Sequence, residues 1–182
     1  MTNERMSQAA EPTTALLVAV DGSKHSEKLV DAACDLAKRL SAKIALLFVS
    51  PYKELKKEYE AYFRPNGEVS FVGTTLGWYA VKQTANKEGA IGVDEFYQAV
   101  GDAVLSTLGA KVREKGLTCE TLFEVGNPAA KIVEVAEERK VAMIMIGVQG
   151  LHGLARLQSL GSVSRRVLEN AICPVIVVPP SQ

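Results

Sequence analysis

The chain has 182 residues, and its 21 lysine and arginine residues balance its 21 aspartate and glutamate residues. Because the formal net charge is zero, no overall field recruits nucleic acid or an anionic membrane surface, and we expect neither partner. No apolar stretch approaches the ~18 residues of a membrane span and residues 1–14 lack the apolar core of a secretory signal, so we predict a soluble, cytoplasmic protein with one domain.

The first third of the chain predicts two strands with a helix between them. Residues 1–14 are polar, and we expect a mobile tail there. Ala15–Val20 is a continuous apolar run that ends in Asp21-Gly22-Ser23, which is typical of a buried strand followed by a turn. Residues 43–49 predict the second strand. The helix between the strands is indicated by apolar residues at helical spacing: Leu29, Ala33, Leu36 and Leu40.

Residues 51–92 have no clear period and are too long for an ordinary connection of ~4 to 6 residues. This stretch also holds seven of the eleven aromatic residues. We predict an insertion in a single domain that spans residues 15–182. A lid or partner surface and a local packing cluster explain the aromatic residues equally well. The aromatic residues are Tyr52, Tyr59, Tyr62, Phe63, Phe71, Trp78 and Tyr79.

The rest of the chain continues the alternation of predicted strands and helices. Apolar residues at helical spacing between positions 96 and 112 predict a helix that ends at Lys115-Gly116. Residues 121–125 predict a strand, and Asn127-Pro128 supplies an N-cap and a first-turn proline for the next helix. Residues 141–146 and Val175–Val178 predict the last two strands. Another helix, with Ser162 as its N-cap, is expected between them.

Five apolar strands alternating with four helices predict a doubly wound, Rossmann-like α/β fold, with a parallel sheet and helices on both faces. Ligands of such sheets bind at the carboxyl ends of the strands, where the strand order reverses. Asp21 and Gly147, each at the end of a predicted strand, are therefore candidates to meet at one site.

Two glycine clusters in residues 147–161, which we call the glycine segment, predict an anion site. Gly147 and Gly150 follow a strand, and Gly161 and Ser162 begin a helix. A tight turn explains the first pair alone. Because a helix start presents free N–H groups and about half a positive charge, the two clusters together favour phosphate binding.

Other candidate residues have competing explanations. Asp21 is predicted to contact a ligand, although an aspartate after a strand commonly caps the following turn. His25 and His152 stand alone, which favours solvated or structural roles. Three arginines are candidates for phosphate contacts, although helix arginines are usually solvated. They are Arg156, Arg165 and Arg166.

No catalytic constellation is recognisable. The chain has no phosphate loop of the Gly-x4-Gly-Lys-Ser/Thr type, no Gly-x-Ser-x-Gly turn and no His-Glu-x-x-His pair. Its three cysteines, Cys34, Cys119 and Cys173, are odd in number and widely separated. We therefore predict reduced thiols rather than a disulfide framework or a zinc site.

The chain resembles the universal stress protein family, whose nucleotide-binding members carry a Gly-x2-Gly-x9-Gly-Ser/Thr motif after the fourth strand. Residues 18–23 are similar to the opening strand and turn of the family, and Gly126-Asn127-Pro128 is similar to its Gly-x-Pro. Residues 161–164 and 173–178 are similar to its ending. Outside the insertion, the resemblance covers most of residues 15–179.

The resemblance implies an adenine nucleotide-binding module for stress adaptation, often a homodimer that pairs partly through the last strand. The ligand implied is ATP, or ADP or AMP, with Mg²⁺ as a candidate accompanying ion. Ala19, Asp21 and the backbone near Val49 would face the adenine and ribose. The residues implied to surround the phosphates are Gly147, Gly150, Gly161, Ser162, Val163 and Ser164.

The chain departs from the motif because ten residues, 151–160, separate Gly150 from Gly161 where the motif has nine. The extra residue either bulges harmlessly or shifts Ser162 away from a terminal phosphate, which would favour AMP or ADP over ATP. Three functions stay open: a nucleotide-binding regulatory module, a weak ATPase or adenylyl-transfer enzyme, and a nucleotide-free interaction module that uses the aromatic insertion.

Overall fold

A computed structural model of the chain describes residues 14–50, 93–148 and 160–179. The predicted insertion, most of the predicted tail, and the middle of the glycine segment lie outside the described residues. Among the helices that are described, none is both long and apolar enough to cross a membrane. The elements are β1 Ala15–Val20, α1 Lys24–Leu40, β2 Lys43–Ser50, α2 Val93–Glu114, β3 Cys119–Val125, α3 Pro128–Glu138, β4 Met143–Gly147, α4 Ser162–Asn170 and β5 Val175–Val178.

The five strands form one parallel sheet in the order β3-β2-β1-β4-β5. β1 is the central strand, and its Val18 pairs with Leu46 of β2 on one side and with Met145 of β4 on the other. The chain adds β2 and β3 on one side of β1 and then crosses to add β4 and β5 on the other. The predicted doubly wound α/β fold is confirmed, and the strand order reverses between β1 and β4.

Both faces of the sheet are covered, which explains why the strands are continuous apolar runs. Leu16, Leu17 and Val18 are consecutive and fully buried, so neighbouring side chains on opposite faces are both shielded from water. α1 and α2 cover the face that contains Leu16 and Val18. α3 and α4 cover the other face, which contains Leu17.

Several predicted helix ends are confirmed in detail. The Asn127 side chain accepts a hydrogen bond from the Ala130 N–H at 3.1 Å, and Pro128 occupies the first turn of α3. Gly116 has a φ of 77°, the left-handed conformation that glycine adopts easily after a helix.

Several predicted boundaries were wrong by one or two residues, and one of them is the end of β2, which is Ser50 rather than residue 49. The N-cap of α4 is Gly161 rather than Ser162, which is the first helical residue. β3 begins two residues before the predicted start, because Cys119 pairs with Ile44. β4 begins at Met143 rather than at Val141, because the Val141 N–H is bonded to the carbonyl of Ala136 at the end of α3.

α2 approaches β2 and β3 closely at Gly101. The Phe48 and Phe123 rings stack beneath it with centroids 5.9 Å apart. A Cβ atom at Gly101 would lie 2.3 Å from Phe123 Cε2 and 3.1 Å from Phe48 Cδ1. This glycine therefore serves the packing of α2 on the sheet, although it lowers helix propensity.

We predict that Gly101→Ala destabilises the protein by about 1–3 kcal/mol, because overpacking outweighs the gain in helix propensity. Chemical denaturation measures the change. Gly109→Ala is the matched control in the same helix, since its Cβ atom would meet mainly the flexible end of Arg113, at 3.2 Å. An equal effect of the two substitutions would contradict this packing explanation.

Candidate functional site

The turn after β1 is organised by the carboxylate of Asp21. Its Oδ1 atom accepts hydrogen bonds from the Ser23 N–H at 3.0 Å and from the Ser26 hydroxyl at 2.8 Å. The Ser26 oxygen in turn accepts the Asp21 N–H at 3.1 Å. The capping role of Asp21 is therefore present, while Oδ2 accepts no hydrogen bond from the described residues. A ligand role for Asp21 stays a prediction that would use this second oxygen.

Two hydroxyl groups at the same edge of the sheet are buried and have no hydrogen-bond partner among the described residues. They belong to Ser23, the N-cap of α1, and to Ser50, the last residue of β2, which is 0% exposed. A buried hydroxyl without a partner is costly, so a ligand or water at this edge would relieve both groups. Neither residue was predicted as part of the site. A serine directly after an apolar strand is the signal that could have found Ser50.

The described ends of the glycine segment are joined by backbone hydrogen bonds. The Val148 N–H donates to the carbonyl of Val178 at 3.1 Å, which extends the pairing of β4 with β5. The Val148 carbonyl accepts the Gly161 N–H at 2.8 Å. The end of β4 and the start of α4 therefore adjoin. Gly150 lies outside the described residues.

The start of α4 presents backbone donors. The first helical hydrogen bond of α4 runs from the Arg165 N–H to the Gly161 carbonyl at 3.0 Å. The preceding N–H groups, those of Ser162, Val163 and Ser164, have no acceptor among the described residues. Together with the positive end of the helix dipole, they form an arrangement suited to a phosphate.

The side chain of Ser164 has a structural contact. It is 3% exposed, and its hydroxyl lies 2.6 Å from the carbonyl oxygen of Gly147 and 3.2 Å from that of Val148. The hydroxyl proton is donated to the end of β4, so it anchors the first turn of α4 to the strand. The remaining donor of Ser164 is its backbone N–H, and its predicted phosphate contact would be made through that group.

The other predicted residues occupy the face of the sheet that α3 and α4 cover. Ala19, Val49 and Val163 pack against the core on this face. Ala19 and Val49 are each one residue from the carboxyl end of their strand, and the two strands are adjacent. The structure therefore brings these three residues to the same side of the edge where β1 and β2 end. Their contacts with a nucleotide stay predictions.

His25 has a structural contact, one of the two roles predicted for it. Its Nε2 atom lies 3.1 Å from the carbonyl oxygen of Val178. Arg165 and Arg166 are exposed on α4, while His152 and Arg156 lie outside the described residues.

The described residues offer neither a metal cluster nor an activated thiol. Within these parts of the chain, no group of three or more His, Cys, Asp or Glu residues could hold a metal ion. Burial raises the pKa of each thiol, those of Cys34, Cys119 and Cys173, and all three cysteines are free. Because these thiols are protonated at neutral pH, they are poor nucleophiles.

The chain is similar to proteins of known family. The model described as "Universal stress protein family" matches residues 13–179. Universal stress protein YxiE of Bacillus subtilis is 32% identical over 171 residues, which cover 90% of this chain and 97% of that protein.

Solved structures share the fold. The universal stress protein from Archaeoglobus fulgidus in complex with dAMP has a TM-score of 0.57 at 21% identity and covers 90% of this chain and 96% of its own. A universal stress protein family protein from Arabidopsis thaliana, At3g01520, with AMP bound, has a TM-score of 0.58 at 18% identity and covers 92% of each chain.

We predict that Ser164→Ala lowers the free energy of unfolding by about 1–3 kcal/mol, because it removes a buried hydrogen bond and leaves the Gly147 carbonyl without this donor. Urea denaturation measures the loss. Ser162→Ala is the matched control, since this side chain is exposed and forms no hydrogen bond with the described residues; it should change stability by less than about 0.5 kcal/mol. Equal stability of the two variants would contradict the anchoring role of Ser164.

Proposed function

Since this chain belongs to the universal stress protein family, we propose that it binds an adenine nucleotide at the carboxyl edge of its sheet and acts as a regulatory module in stress adaptation. The observation that carries the proposal is the start of α4, where three consecutive N–H groups lack an acceptor among the described residues. Two relatives of the same fold are described with dAMP and with AMP bound, which supports an adenine nucleotide here.

In this proposal the phosphate lies over the first turn of α4. The N–H groups of Ser162, Val163 and Ser164 donate to its oxygens, and the exposed Ser162 hydroxyl adds a fourth donor. Gly147, Gly150 and Gly161 leave room for a close approach of the ligand to the backbone.

The ribose and base extend from there towards the ends of β1 and β2. The Oδ2 atom of Asp21 accepts a hydrogen bond from a ribose hydroxyl, and the backbone near Val49 and Ala19 contacts the adenine. Support comes from the carboxylate of Asp21, whose Oδ1 atom is held in place by Ser23 and Ser26 while Oδ2 accepts nothing from the described residues. A preorganised acceptor loses little freedom when the ligand binds.

We rank AMP and ADP ahead of ATP as ligands. The ten-residue spacing between Gly150 and Gly161 and the nucleotides described for the two relatives both favour a short phosphate chain. Mg²⁺ commonly keeps several waters, so if ATP binds, the ion would be held mainly by the phosphates and water, since the free oxygen of Asp21 is assigned to the ribose. Mg²⁺ would then neutralise charge on the phosphates.

The described residues favour a regulatory module over an enzyme that turns over its nucleotide. The single histidine among them, His25, is engaged with a backbone carbonyl, and burial keeps their thiols protonated. An enzyme that transfers phosphoryl or adenylyl groups needs positioned groups that stabilise the developing charge. Turnover with Mg²⁺ that Asp21→Asn abolishes would overturn the regulatory proposal in favour of an enzyme.

We also propose that two copies of the chain pair at β5. β5 is an edge strand of the sheet, all four of its residues are apolar, and it is only partly buried. Ile172, just before β5, is 66% exposed, and Leu168 on α4 is 41% exposed. Exposed apolar side chains beside a strand edge that no other described strand pairs with favour a second copy as the partner, because pairing would satisfy the edge and bury these side chains.

We predict that Ser162→Pro weakens the binding of AMP by at least about tenfold, because it removes one charge-assisted donor worth about 1.5–3 kcal/mol and also the hydroxyl. Proline is tolerated in the first turn of a helix, and the extended conformation of Gly161, with φ −59° and ψ 158°, suits a residue before proline. Titration calorimetry measures the affinity, and unfolding experiments verify that α4 is retained.

Ser162→Ala separates the two donors, since it removes the hydroxyl and keeps the backbone N–H. We expect an intermediate affinity. If Ser162→Pro binds AMP as tightly as the unsubstituted protein, the phosphate does not lie at the start of α4. If the unsubstituted protein binds none of AMP, ADP and ATP, the nucleotide proposal fails and the interaction module becomes the leading function.

We predict that Ile172→Lys raises the dimer dissociation constant by about tenfold or more, because the substitution buries an unpaired charge in the proposed interface. Sedimentation velocity measures the population of dimer. The control is Leu40→Lys: Leu40 is 44% exposed at the end of α1, which packs mainly on β1, β2 and β4. A monomeric unsubstituted protein, or equal dimer populations in both variants, would contradict pairing at β5.

A further inference from the structure

We infer that His25 is a positioning residue that, together with Ser26, holds the two halves of the candidate site in register from a single turn of α1. One half is the carboxylate of Asp21, and the other is the first turn of α4. His25 lies outside the set of residues expected to contact a nucleotide. The inference rests on the proposed function, since it concerns the affinity of that same site.

The contact of His25 has a defined direction. Its Nε2 atom is 3.1 Å from the carbonyl oxygen of Val178. A carbonyl oxygen only accepts hydrogen bonds, so Nε2 must carry the proton that is donated. The two residues are 153 positions apart in the chain, and the bond therefore links the first turn of α1 to the end of the last strand. No local feature of α1 requires this contact.

The Val178 carbonyl also connects α1 to β4 and, through β4, to α4. It also accepts the Val148 N–H at 3.1 Å, so one oxygen receives a donor from α1 and another from the end of β4. The carbonyl oxygen of the same residue, Val148, accepts the Gly161 N–H at 2.8 Å and lies 3.2 Å from the Ser164 hydroxyl. A continuous series of hydrogen bonds thus runs from His25 to the N-cap of α4.

The neighbouring residue of the same turn holds the other half of the site. The Ser26 hydroxyl donates to Asp21 Oδ1 at 2.8 Å. His25 and Ser26 are consecutive, so a single turn of α1 is bonded both to the proposed ribose acceptor and, through Val178 and Val148, to the proposed phosphate donors. A ligand that spans both halves needs the distance between them to be set before it binds.

This hydrogen-bond linkage connects helices that lie on opposite faces of the sheet. α1 packs with α2 on one face, while α4 packs with α3 on the other. Apolar packing among the helices on either face of the sheet does not fix the position of the first turn of α4 relative to the first turn of α1. Strand pairing places β4 beside β1, and the hydrogen bond of His25 adds a direct tie from α1 to the strand that is bonded to Val148.

The test compares His25→Leu, which removes the donor, with His25→Gln, whose side-chain amide can still donate to the Val178 carbonyl. The probe is AMP, measured by titration calorimetry on the full chain. A second readout, independent of any ligand, is the hydrogen exchange rate of the Val148 amide, followed by NMR spectroscopy. Thermal unfolding establishes that each variant is folded at the temperature of the measurements.

We expect His25→Leu to weaken AMP binding by about three- to tenfold, the equivalent of one lost hydrogen bond. We also expect faster exchange of the Val148 amide. His25→Gln should restore both quantities to within about twofold, which a residue that merely filled space would not do.

Unchanged AMP affinity and unchanged Val148 exchange in His25→Leu would overturn the inference, as would equal weakening by the two variants. Failure of the proposed function looks different. In that case the unsubstituted protein binds no AMP, while the exchange of Val148 still responds to His25→Leu and recovers in His25→Gln, so the linkage stands without the nucleotide site.

Discussion

The pairing of β1 on both of its sides is the constraint on which the rest of the structure depends. Because β1 is central and parallel to both neighbours, its residues are buried on both faces, and every connection must cross over the sheet through a helix. The connection from β1 leads to β2 on one side, whereas the connection from β3 crosses back and places β4 on the other side of β1. This divergence opens the carboxyl edge between β1 and β4, and it is the reason that the turn at Asp21 and the end of β4 at Gly147 adjoin one another.

The candidate site at this edge is made largely of backbone. Its proposed phosphate donors are N–H groups at the start of α4, and the hydroxyl of Ser164 is used to anchor that helix to Gly147 rather than to face solvent. Backbone donors can bind a phosphate, but they transfer no protons at neutral pH. A site of this composition suits occupancy that changes a conformation or an assembly, and this agrees with the absence of an activated thiol among the described residues.

Some buried polar groups at the carboxyl edge of the sheet lower the stability of the protein. The hydroxyls of Ser23 and Ser50 are desolvated and have no partner in the described parts of the chain, whereas those of Ser26 and Ser164 are satisfied and hold the turn of Asp21 and the start of α4. Unsatisfied groups lower stability, and they persist where another requirement maintains them. A bound ligand that satisfied them would recover part of that cost, so occupancy and stability would be linked.

Most of the fold could be predicted from the sequence because its determinants are local. Apolar runs, helical spacing and end signals such as Asn127-Pro128 act within a few residues, and β1 and β5 were predicted with their observed bounds. The glycine clusters, and the resemblance they carry, indicated the family and the candidate residues. Strand order depends on contacts between segments that are distant in the sequence. The hydrogen bond from His25 to Val178 and the burial of the Ser50 hydroxyl also depend on such contacts. Only the tertiary structure decided these features, because each depends on which elements become neighbours once the sheet has formed.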